Sequence, residues 1–564
     1  MTRKFLRKRK IKNSNPFVEP DEIFLDSKNL QNFDRQQFEG RIEKPIPKKT
    51  ILFLGIFFIL CAIIFSTQLG YLQILKGDTY FKRSENNTLE KQIIFADRGV
   101  FYDRNKKELV WNEKEEGKDF STRAYISPGF SHVLGYISYP MKDKSDNYWQ
   151  SEFIGKDGLE KEYNELIKGE NGSKIVEIDA RGKIHSENIV NAPKRGQDLT
   201  TSIDMRIQSK LFSLIKNLSE NNFFNGGAGV LMDVQKGEII ASASFPEYES
   251  EILSKGKDTQ AIKKYLDDRR KIFMDRTLSG LYAPGSIVKP FLALGALNEG
   301  IIDPLTKILS TGSISIPNQY FPDQKTIFKD WRAHGWVDMR QALAVSSDVY
   351  FYEIGGGFEG QKGLGIANIE KYARLFGIGE KTGVDLPDET AGIIPNPEWK
   401  IKNFAGDSWR IGDTYHTAIG QYGFQVTLLQ IVRAVSAIAN YGKLITPHFL
   451  LDDKAQEAKV SNIDFKKEYF DVVHEGMRDS VLYGTSATLN VPYVQVASKT
   501  GTAQLGVAKN KVNSWIMGFF PYQNPKYAFV VLMEAGPSTN STGASFIIRQ
   551  LFDWMSINTP EYFK

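Results

Sequence analysis

The most informative stretch of the chain, residues 283–297, reads Ala-Pro-Gly-Ser-Ile-Val-Lys-Pro-Phe-Leu-Ala-Leu-Gly-Ala-Leu. Pro284 and Gly285 stand just before an apolar run of helical length, which predicts that Ser286 lies at a helix N-terminus. Lys289 follows three residues later, a spacing that brings two side chains onto one helix face. Apolar surroundings favour the neutral form of a lysine amine, which can then serve as a base for a serine. The stretch therefore predicts Ser286 as a nucleophile with Lys289 beside it.

The same Ser-x-x-Lys spacing occurs at Ser213–Lys216 and at Ser254–Lys257. We interpret these two copies as part of an exposed helix and part of an exposed loop. For an arbitrary tetrapeptide of this kind, ordinary surface residues are the better explanation. The apolar helix predicted behind Ser286 is what distinguishes the copy at 286–289.

A polar triplet, Ser346-Ser347-Asp348, lies about sixty residues further on, between the apolar runs Leu343-Ala-Val and Val349-Tyr-Phe-Tyr. Buried polar groups need partners, so Ser346 is a candidate for a second active-site hydroxyl. Serine and aspartate also cap helices well. A helix cap is thus an equally weighted alternative for the triplet.

A third polar motif, Lys499-Thr-Gly-Thr502, follows the apolar run Val494-Gln-Val-Ala and is predicted at the end of a β-rich stretch. Gly501 lacks a Cβ, so a substrate backbone or carboxylate can approach closely there. Lys499 and Thr500 can add charge-assisted hydrogen bonds. A second copy, Lys381-Thr-Gly383, lacks the preceding strand, and we interpret it as a structural loop.

Composition excludes several classes of protein. The 564 residues are 41% hydrophobic and 25% charged, as in folded soluble proteins, which argues against wholesale disorder and against a polytopic membrane protein. The net charge of +5, from 72 basic and 67 acidic residues, is too small for a dedicated nucleic-acid binder. The single cysteine, Cys61, rules out a disulfide framework within the chain and any Cys-based metal site, and the histidines show no HExxH spacing.

Residues 50–75 contain no charged side chain and open with an unbroken apolar run. As a helix they would extend roughly 39 Å, enough to cross a bilayer core of about 30 Å. A segment that begins at residue 50 does not have the form of a cleaved signal peptide. We predict an uncleaved, single transmembrane anchor, with a buried core helix as the less favoured alternative.

The orientation of this anchor is predicted from its flanks. Residues 1–49 hold thirteen Lys and Arg, seven of them in the first twelve positions. Short basic flanks stay in the cytoplasm, whereas long domains cross a membrane largely regardless of charge. We therefore expect a cytoplasmic, mostly disordered tail over 1–49 and an extracytoplasmic remainder from residue 76 onward.

Two folded parts are predicted beyond the anchor. Residues 76–200 contain short alternating runs and Gly turns, with one helical pattern near 159–167, which indicates an extended β-rich module that we call the pedestal. Residues 201–564 begin with a helix near 206–217 and a hairpin at 229–243, continue with helices, and end with strands near 494–497, 515–519 and 528–533. This order predicts an α+β domain whose antiparallel sheet is assembled from both ends of the chain, with a helical subdomain between.

The three motifs, SxxK, SxD and KTGT in this order, resemble the signature of the penicillin-binding protein and serine β-lactamase superfamily. The resemblance covers residues 50 to about 555. Segments 98–105, 132–136, 158–160 and 198–204 look like the N-terminal module of class B penicillin-binding proteins. Segments 329–335, 382–387, 399–400, 412–415 and 420–421, together with Asp348, look most like the elongation-type subgroup, penicillin-binding protein 2.

This resemblance implies a peptidoglycan D,D-transpeptidase that works without metal or organic cofactor. Ser286 would attack the carbonyl between two terminal D-alanines, with Lys289 as base, and Ser346 would relay the proton to the leaving amine. The oxyanion would rest on the backbone N–H groups of Ser286 and Thr502. The remaining residues that the resemblance assigns to the site are Asp348, Lys499, Thr500 and Gly501, with Lys499, Thr500 and Thr502 holding the terminal carboxylate of the donor.

The same resemblance implies the setting of the reaction. The substrates are peptidoglycan stem peptides ending in D-Ala-D-Ala, β-lactam antibiotics acylate Ser286, and the partner is a SEDS-family lipid II polymerase. The location is the bacterial cytoplasmic membrane, in cell elongation and cell shape. No nucleic acid is involved.

Two other functions stay open. A membrane-anchored DD-carboxypeptidase or β-lactamase-like hydrolase would need a base that activates water, and the motifs supply none visibly. A non-catalytic penicillin-binding sensor or scaffold would keep the fold, but Ser286, Lys289 and Lys499 are all present. Release of D-alanine without cross-linking would favour the hydrolase, and failure to bind penicillin would favour the scaffold.

Overall fold

The computed structural model describes residues 47–178, 184–318, 321, 323–451 and 459–564. The predicted tail lies outside these ranges up to residue 46. The chain divides into two compact units, Met1–Leu89 and Glu90–Lys564.

The first unit contains the predicted anchor. Helix α1 (Lys48–Gly70) continues through a π-helical turn (Tyr71–Leu75) and is followed by helix α2 (Gly77–Thr88). The stretch Lys48–Leu75 is long and apolar enough to cross a membrane, and its apolar side chains are exposed. The prediction of a β-rich module from residue 76 is wrong over 77–88, because this polar segment forms helix α2. Asp78 lies in the first turn of this helix, where a negative charge interacts favourably with the helix dipole.

The second unit begins with the remainder of the pedestal, which is rich in strands as predicted. Three of its strands form one sheet in the order β1-β9-β10, and four form another in the order β11-β2-β3-β4. The elements are β1 (Leu89–Ile94), β2 (Phe101–Tyr102), β3 (Glu108–Glu113), β4 (Thr122–Tyr125), α3 (Ser131–Leu134), β5 (Ile137–Ser138), β6 (Met141–Lys142), β7 (Tyr148–Gln150), β8 (Ile154–Gly155), α4 (Gly158–Glu162), α5 (Asn164–Ile167), β9 (Gly172–Ile178), β10 (Ile184–Asn191) and β11 (Leu199–Thr200).

A buried ion-pair network ties the pedestal together. The Glu160 carboxylate forms ion pairs with Arg98 at 2.6 Å and with Arg123 at 2.7 Å, and all three side chains are at most 1% exposed. Removing one partner would leave an uncompensated buried charge, so the three residues depend on one another. Two of the segments that carry the family resemblance, 98–105 and 158–160, meet in this network.

The rest of the unit is built on a five-stranded antiparallel sheet in the order β13-β12-β22-β21-β20. The hairpin is near the start of this region and the other three strands are near its end, so the sheet is assembled from both ends as predicted. The strands are β12 (Gly226–Asp233), β13 (Ile239–Phe245), β20 (Ala497–Leu505), β21 (Lys511–Phe520) and β22 (Tyr527–Pro537).

Helices cover both faces of this sheet. Alternate residues of β12 and β22 contribute to two separate hydrophobic clusters, as the period of two in a strand requires. Helices α6 (Met205–Asn221) and α17 (Ala544–Asn558) pack on one face, and α15 (Leu428–Ala439), buried except at Arg433, packs on the other.

The helical subdomain and small hairpins lie between the two ends of the sheet. These elements are α7 (Ser250–Lys255), α8 (Thr259–Asp267), α9 (Lys289–Asn298), β14 (Ile308–Ser310), β15 (Ser313–Pro317), β16 (Lys325–Lys329), β17 (Gly335–Val337), α10 (Met339–Val345), α11 (Asp348–Gly356), α12 (Gly365–Leu375), α13 (Pro397–Asn403), α14 (Ile411–Ala418), β18 (Lys443–Ile445), β19 (Val460–Asn462) and α16 (Lys467–Leu482).

The pedestal and the sheet domain share buried polar contacts. Gln208 of α6 donates from its amide to the Gly129 carbonyl at 2.6 Å, and the Tyr248 hydroxyl donates to Asp157 at 2.6 Å. The backbone N–H of Gly129 donates to Glu247 at 2.6 Å. These contacts explain why the pedestal from Glu90 onward and the sheet domain belong to one compact unit.

Glu353 of α11 gives a prediction about stability. Burial and the neighbouring Glu359 raise the pKa of Glu353 from 4.5 to about 7. Between about pH 4.5 and pH 7, Glu353 is therefore protonated in the folded protein but ionised in the unfolded chain. The contribution of the protonated side chain to the free energy of unfolding is lost as pH rises through about 7. For a protein beginning at Glu90, we expect Glu353→Gln to raise the free energy of unfolding at pH 8 by about 1 kcal/mol, discounted for partial exposure, and to change little at pH 4. Urea unfolding at both pH values measures this, and an equal effect at both would contradict it.

Candidate active site

Ser286 lies on a 3₁₀ turn, Gly285–Val288, that leads directly into the buried helix α9. Gly285 has a φ of +57° and its N–H donates to the Gly420 carbonyl at 2.9 Å. The indole of Trp515 on β21 donates to the Ala283 carbonyl at 2.9 Å. The turn is therefore held from two sides, and the prediction of Ser286 at the start of a helix is confirmed.

Lys289, the first residue of α9, is completely buried. Its Nζ donates to Asp348 Oδ1 at 2.6 Å and to the Ser346 carbonyl at 2.8 Å, and it lies 3.4 Å from Ser346 Oγ. Asp348 lies at ion-pair distance and can compensate the charge of this amine when it carries a third proton. The SxxK and SxD motifs thus meet through these three side chains.

Ser346 and Ser347 sit at the junction of two helices. Ser346 ends α10 in the left-handed region, with φ 58° and ψ 41°, a conformation that is uncommon for a non-glycine residue. Ser347 caps α11, and its side chain accepts from the Tyr350 N–H. Both interpretations of the triplet therefore apply: Ser347 is a helix cap, and Ser346 presents its hydroxyl to the lysines.

Lys499 reaches Ser346 from the opposite side. It is completely buried on β20, and its Nζ donates to Ser346 Oγ at 2.7 Å and to the Thr500 carbonyl at 2.8 Å. Burial, and then the charge of Lys289, lower the pKa of Lys499 well below its usual range, with Asp348 opposing. Burial, and the repulsion between two amines that both lie at the Ser346 hydroxyl, therefore favour loss of a proton from Lys499.

The strand that carries the KTGT motif begins later than predicted. It starts at Ala497 rather than Val494, so Lys499–Thr502 lie within β20 and not at the end of a strand. A Cβ on Gly501 would stand 2.9 Å from the Pro284 carbonyl oxygen and from Ile287. The close approach that needs this glycine is therefore to the turn of Ser286, and a role of Gly501 in binding substrate stays a prediction.

These features agree with the profiles of known families. The family described as "Penicillin binding protein transpeptidase domain" matches residues 227–553, more than half of the chain, and "Penicillin-binding Protein dimerisation domain" matches residues 116–201. The chain belongs to the penicillin-binding protein transpeptidase family.

Relatives of this penicillin-binding protein span nearly its whole length. The peptidoglycan D,D-transpeptidase MrdA of Acinetobacter baumannii is 28% identical over 91% of this chain and 88% of its own. The protein of the same name from Haemophilus influenzae is 28% identical over 89% of this chain and 90% of its own.

Solved structures support the same conclusion. Penicillin-binding protein PBP2 of Helicobacter pylori, in its complex with MreC, has a TM-score of 0.69 at 28% identity, over 84% of this chain and 100% of that one. PBP2 of Pseudomonas aeruginosa in complex with WCK 5153 has a TM-score of 0.68 at 28% identity, over 83% of this chain and 97% of that one. The predicted fold and the resemblance to penicillin-binding protein 2 are confirmed.

The second KTG copy in this penicillin-binding protein is a loop, as predicted. Lys381 is exposed. The N–H and the hydroxyl of Thr382 both donate to Glu389 at 2.6 Å, and the N–H of Gly383 donates to Glu389 at 3.0 Å. Glu389 therefore holds this loop without any contribution from a strand.

The two other SxxK copies differ partly from their prediction. Ser213 lies in α6, and its hydroxyl donates to the Lys210 carbonyl within the same helix. Ser254 is buried rather than exposed, and its hydroxyl accepts from the Ile137 N–H at 3.2 Å. The prediction of an exposed loop is wrong there, because the pedestal covers the end of α7.

Sequence reasoning missed two residues that hold the site together. The Thr485 hydroxyl accepts from Thr500 at 2.6 Å, and the Thr485 N–H donates to the Ala344 carbonyl at 3.1 Å, which links β20 to α10. Asp330 accepts a hydrogen bond from the Ser347 hydroxyl of the SxD turn at 2.8 Å. It belongs to the segment 329–335 of the family resemblance, which assigns it no role. Only the tertiary contacts reveal either residue. Within the described ranges, no three His, Cys, Asp or Glu side chains gather as a metal site would require.

Proposed function

We propose that this chain is a peptidoglycan D,D-transpeptidase that forms its acyl-enzyme on Ser286. The observation that carries the proposal is the convergence of Lys289 and Lys499 on Ser346, next to the turn of Ser286. Two similar proteins carry the name peptidoglycan D,D-transpeptidase.

The reaction begins with attack of Ser286 Oγ on the carbonyl between the two terminal D-alanines of a stem peptide. The C–N bond breaks, D-alanine leaves, and an ester with Ser286 remains. An amine from a neighbouring stem then attacks this ester, which forms the cross-link and restores the serine. The steps balance without an oxidant or a reductant.

Each of the remaining site residues has a proposed role. Lys289 takes the proton from Ser286, and Asp348 compensates its charge. Ser346 passes a proton to the leaving amine, because its hydroxyl lies within reach of both lysines. The backbone N–H groups of Ser286 and Thr502 stabilise the oxyanion. Lys499, Thr500, Gly501 and Thr502 bind the carboxylate end of the donor.

Analysis of reaction products tests this function. The protein, supplied with uncross-linked glycan strands that carry pentapeptide stems, should release D-alanine and form cross-linked dimers, and penicillin should block both. Muropeptide mass spectrometry measures the dimers. D-Alanine release without dimers would instead show a DD-carboxypeptidase.

We also propose how the chain is placed in the cell. The anchor at 50–75 crosses the cytoplasmic membrane once, with residues 1–49 inside and the pedestal and transpeptidase domain, 201–564, outside. The apolar, exposed surface of α1 supports an anchor, and the basic tail supports the orientation. The proposed partner is a SEDS-family lipid II polymerase, and the proposed role is in elongation.

A protein that begins at Thr200 tests the proposed division between pedestal and transpeptidase domain. It keeps all motifs and every strand of the five-stranded sheet, so we expect it to bind penicillin. It should be less stable, because buried groups such as the Gln208 amide lose partners in the pedestal, at about 1 to 3 kcal/mol for each group. It should not stimulate a SEDS polymerase. Full stimulation in a glycan synthesis assay would contradict the proposed role of the anchor and pedestal.

A further inference from the structure

We propose that Asp330 and Trp331, which we call the 330–331 clamp, are positioning residues that hold Ser346 in its reactive place. The inference rests on the proposed function, because Ser346 is assigned there. The clamp acts on the chain immediately before and immediately after Ser346.

Asp330 holds the side of the turn that follows Ser346. Its side chain is fully buried, with an exposed fraction of 0%. Oδ2 accepts from the Ser347 hydroxyl at 2.8 Å, from the Val349 N–H at 3.0 Å and from the Ser310 hydroxyl at 3.3 Å. One carboxylate oxygen thus fixes both Ser347 and the first turn of α11.

Trp331 holds the side that precedes Ser346. Its indole N–H donates to the Val345 carbonyl at 3.2 Å. The ring itself is 56% exposed, and the Arg332 guanidinium stacks on it 4.4 Å from the centroid. The ring is thus not required to fill the core, and within the described ranges its indole N–H is held by the residue before Ser346.

The surroundings of Asp330 are completed by His334. The Arg332 side chain donates to His334 Nδ1 at 3.4 Å, which leaves the hydrogen of the neutral ring on Nε2. This atom lies 3.5 Å from Asp330 Oδ1, and the ring is 1% exposed. This approach is not a hydrogen bond; the donor to Oδ1 is the Trp331 backbone N–H, at 2.8 Å. Both oxygens of the carboxylate are therefore held, and Asp330 has little freedom to move.

The conformation of Ser346 explains why a clamp is needed. A non-glycine residue with φ of 58° stays in the left-handed region only if its surroundings impose it. If the turn relaxed, the Ser346 carbonyl would leave Lys289 and the hydroxyl would leave Lys499 at the same time. A change at Asp330 should therefore impair the chemical step through Ser346 rather than through binding.

The test measures acylation of the full chain in detergent by a fluorescent penicillin, over a range of concentrations that separates reversible binding from the acylation rate. Asp330→Ala should lower the acylation rate constant about 100-fold, the effect of a misplaced catalytic group, with reversible binding changed less than about 3-fold. Trp331→Phe keeps the ring, removes one hydrogen bond and should lower the rate constant about 5-fold. Asp330→Asn keeps an oxygen for the donors and should restore most of the rate.

Asp103→Ala is the matched control. Asp103 is 1% exposed in the pedestal and accepts from the N–H groups of Asn105 at 2.7 Å and Lys107 at 2.8 Å. The Asp103→Ala protein should lose thermal stability, as the Asp330→Ala protein does, yet it should react with penicillin at the rate of the unchanged protein. Equal acylation rates in Asp103→Ala and Asp330→Ala would overturn the inference.

A variant that fails to fold does not end the test. Should Asp330→Ala be unfolded, Ser347→Ala removes one donor to Asp330 together with the 3.4 Å cap to the Tyr350 N–H, and should lower the acylation rate constant about 10-fold. An unchanged rate in Ser347→Ala and Trp331→Phe would overturn the clamp. The proposed function is tested separately, by whether the unchanged protein forms a covalent adduct with the fluorescent penicillin.

Discussion

The Ser286→Ala protein should form no covalent adduct with penicillin while keeping its fold. The change removes one half-buried hydroxyl from the turn Gly285–Val288 and leaves the contacts that hold this turn, from Trp515 and Gly420, in place. Loss of a nucleophile costs about 10⁴-fold or more in rate, so no adduct should be detectable. Intact-protein mass spectrometry after incubation with penicillin measures this, with thermal unfolding as the check on folding.

The other SxxK serines are the controls for this experiment. Ser213→Ala should change neither the adduct nor the stability, because its hydroxyl bonds only within α6. Ser254→Ala should form the adduct normally but unfold at a lower temperature, because it leaves the buried Ile137 N–H without its acceptor. An adduct that persists in Ser286→Ala would remove the central assignment.

Lys499→Ala should reduce acylation by penicillin about 10²- to 10³-fold, whereas Lys381→Ala should change it less than about 3-fold. Lys499 is completely buried, and its amine lies 2.7 Å from Ser346 Oγ. Lys381 is exposed on a loop that Glu389 holds through its neighbours. Stopped-flow or gel-based acylation kinetics compare the two variants. If Lys381→Ala had the larger effect, the wrong copy of the motif would have been assigned to the site.

The elements of the fold that were predictable from sequence are those with strong local patterns. The apolar anchor, the helix near 206–217, the hairpin at 229–243 and the terminal strands near 515–519 and 528–533 are all present. β20 starts three residues later than its sequence pattern predicts. Val494 and Val496 are buried on either side of the exposed Gln495, as in a strand, but this segment joins no strand ladder within the described ranges, and the Gln495 carbonyl accepts from the Tyr522 N–H instead. The helix at 77–88 was missed because it is polar and has no apolar stripe.

The motifs of the site could be recognised from sequence, but their mutual contacts could not. Ser-x-x-Lys spacing predicts Lys289 beside Ser286, yet nothing local indicates that Lys289 pairs with Asp348. Position 501 requires a glycine because the turn of Ser286, more than two hundred residues away in the chain, packs closely against it. Asp330 and Thr485 matter through contacts across different elements, and such contacts depend on the packing of the whole domain.

Peptide mapping of the unchanged protein after reaction with penicillin is the decisive test of Ser286 as the nucleophile. Digestion and tandem mass spectrometry locate the residue that carries the added mass. We expect a single penicilloyl ester on Ser286, in the peptide that contains residues 285–289. An adduct on any other residue, or no adduct at all, would contradict this assignment.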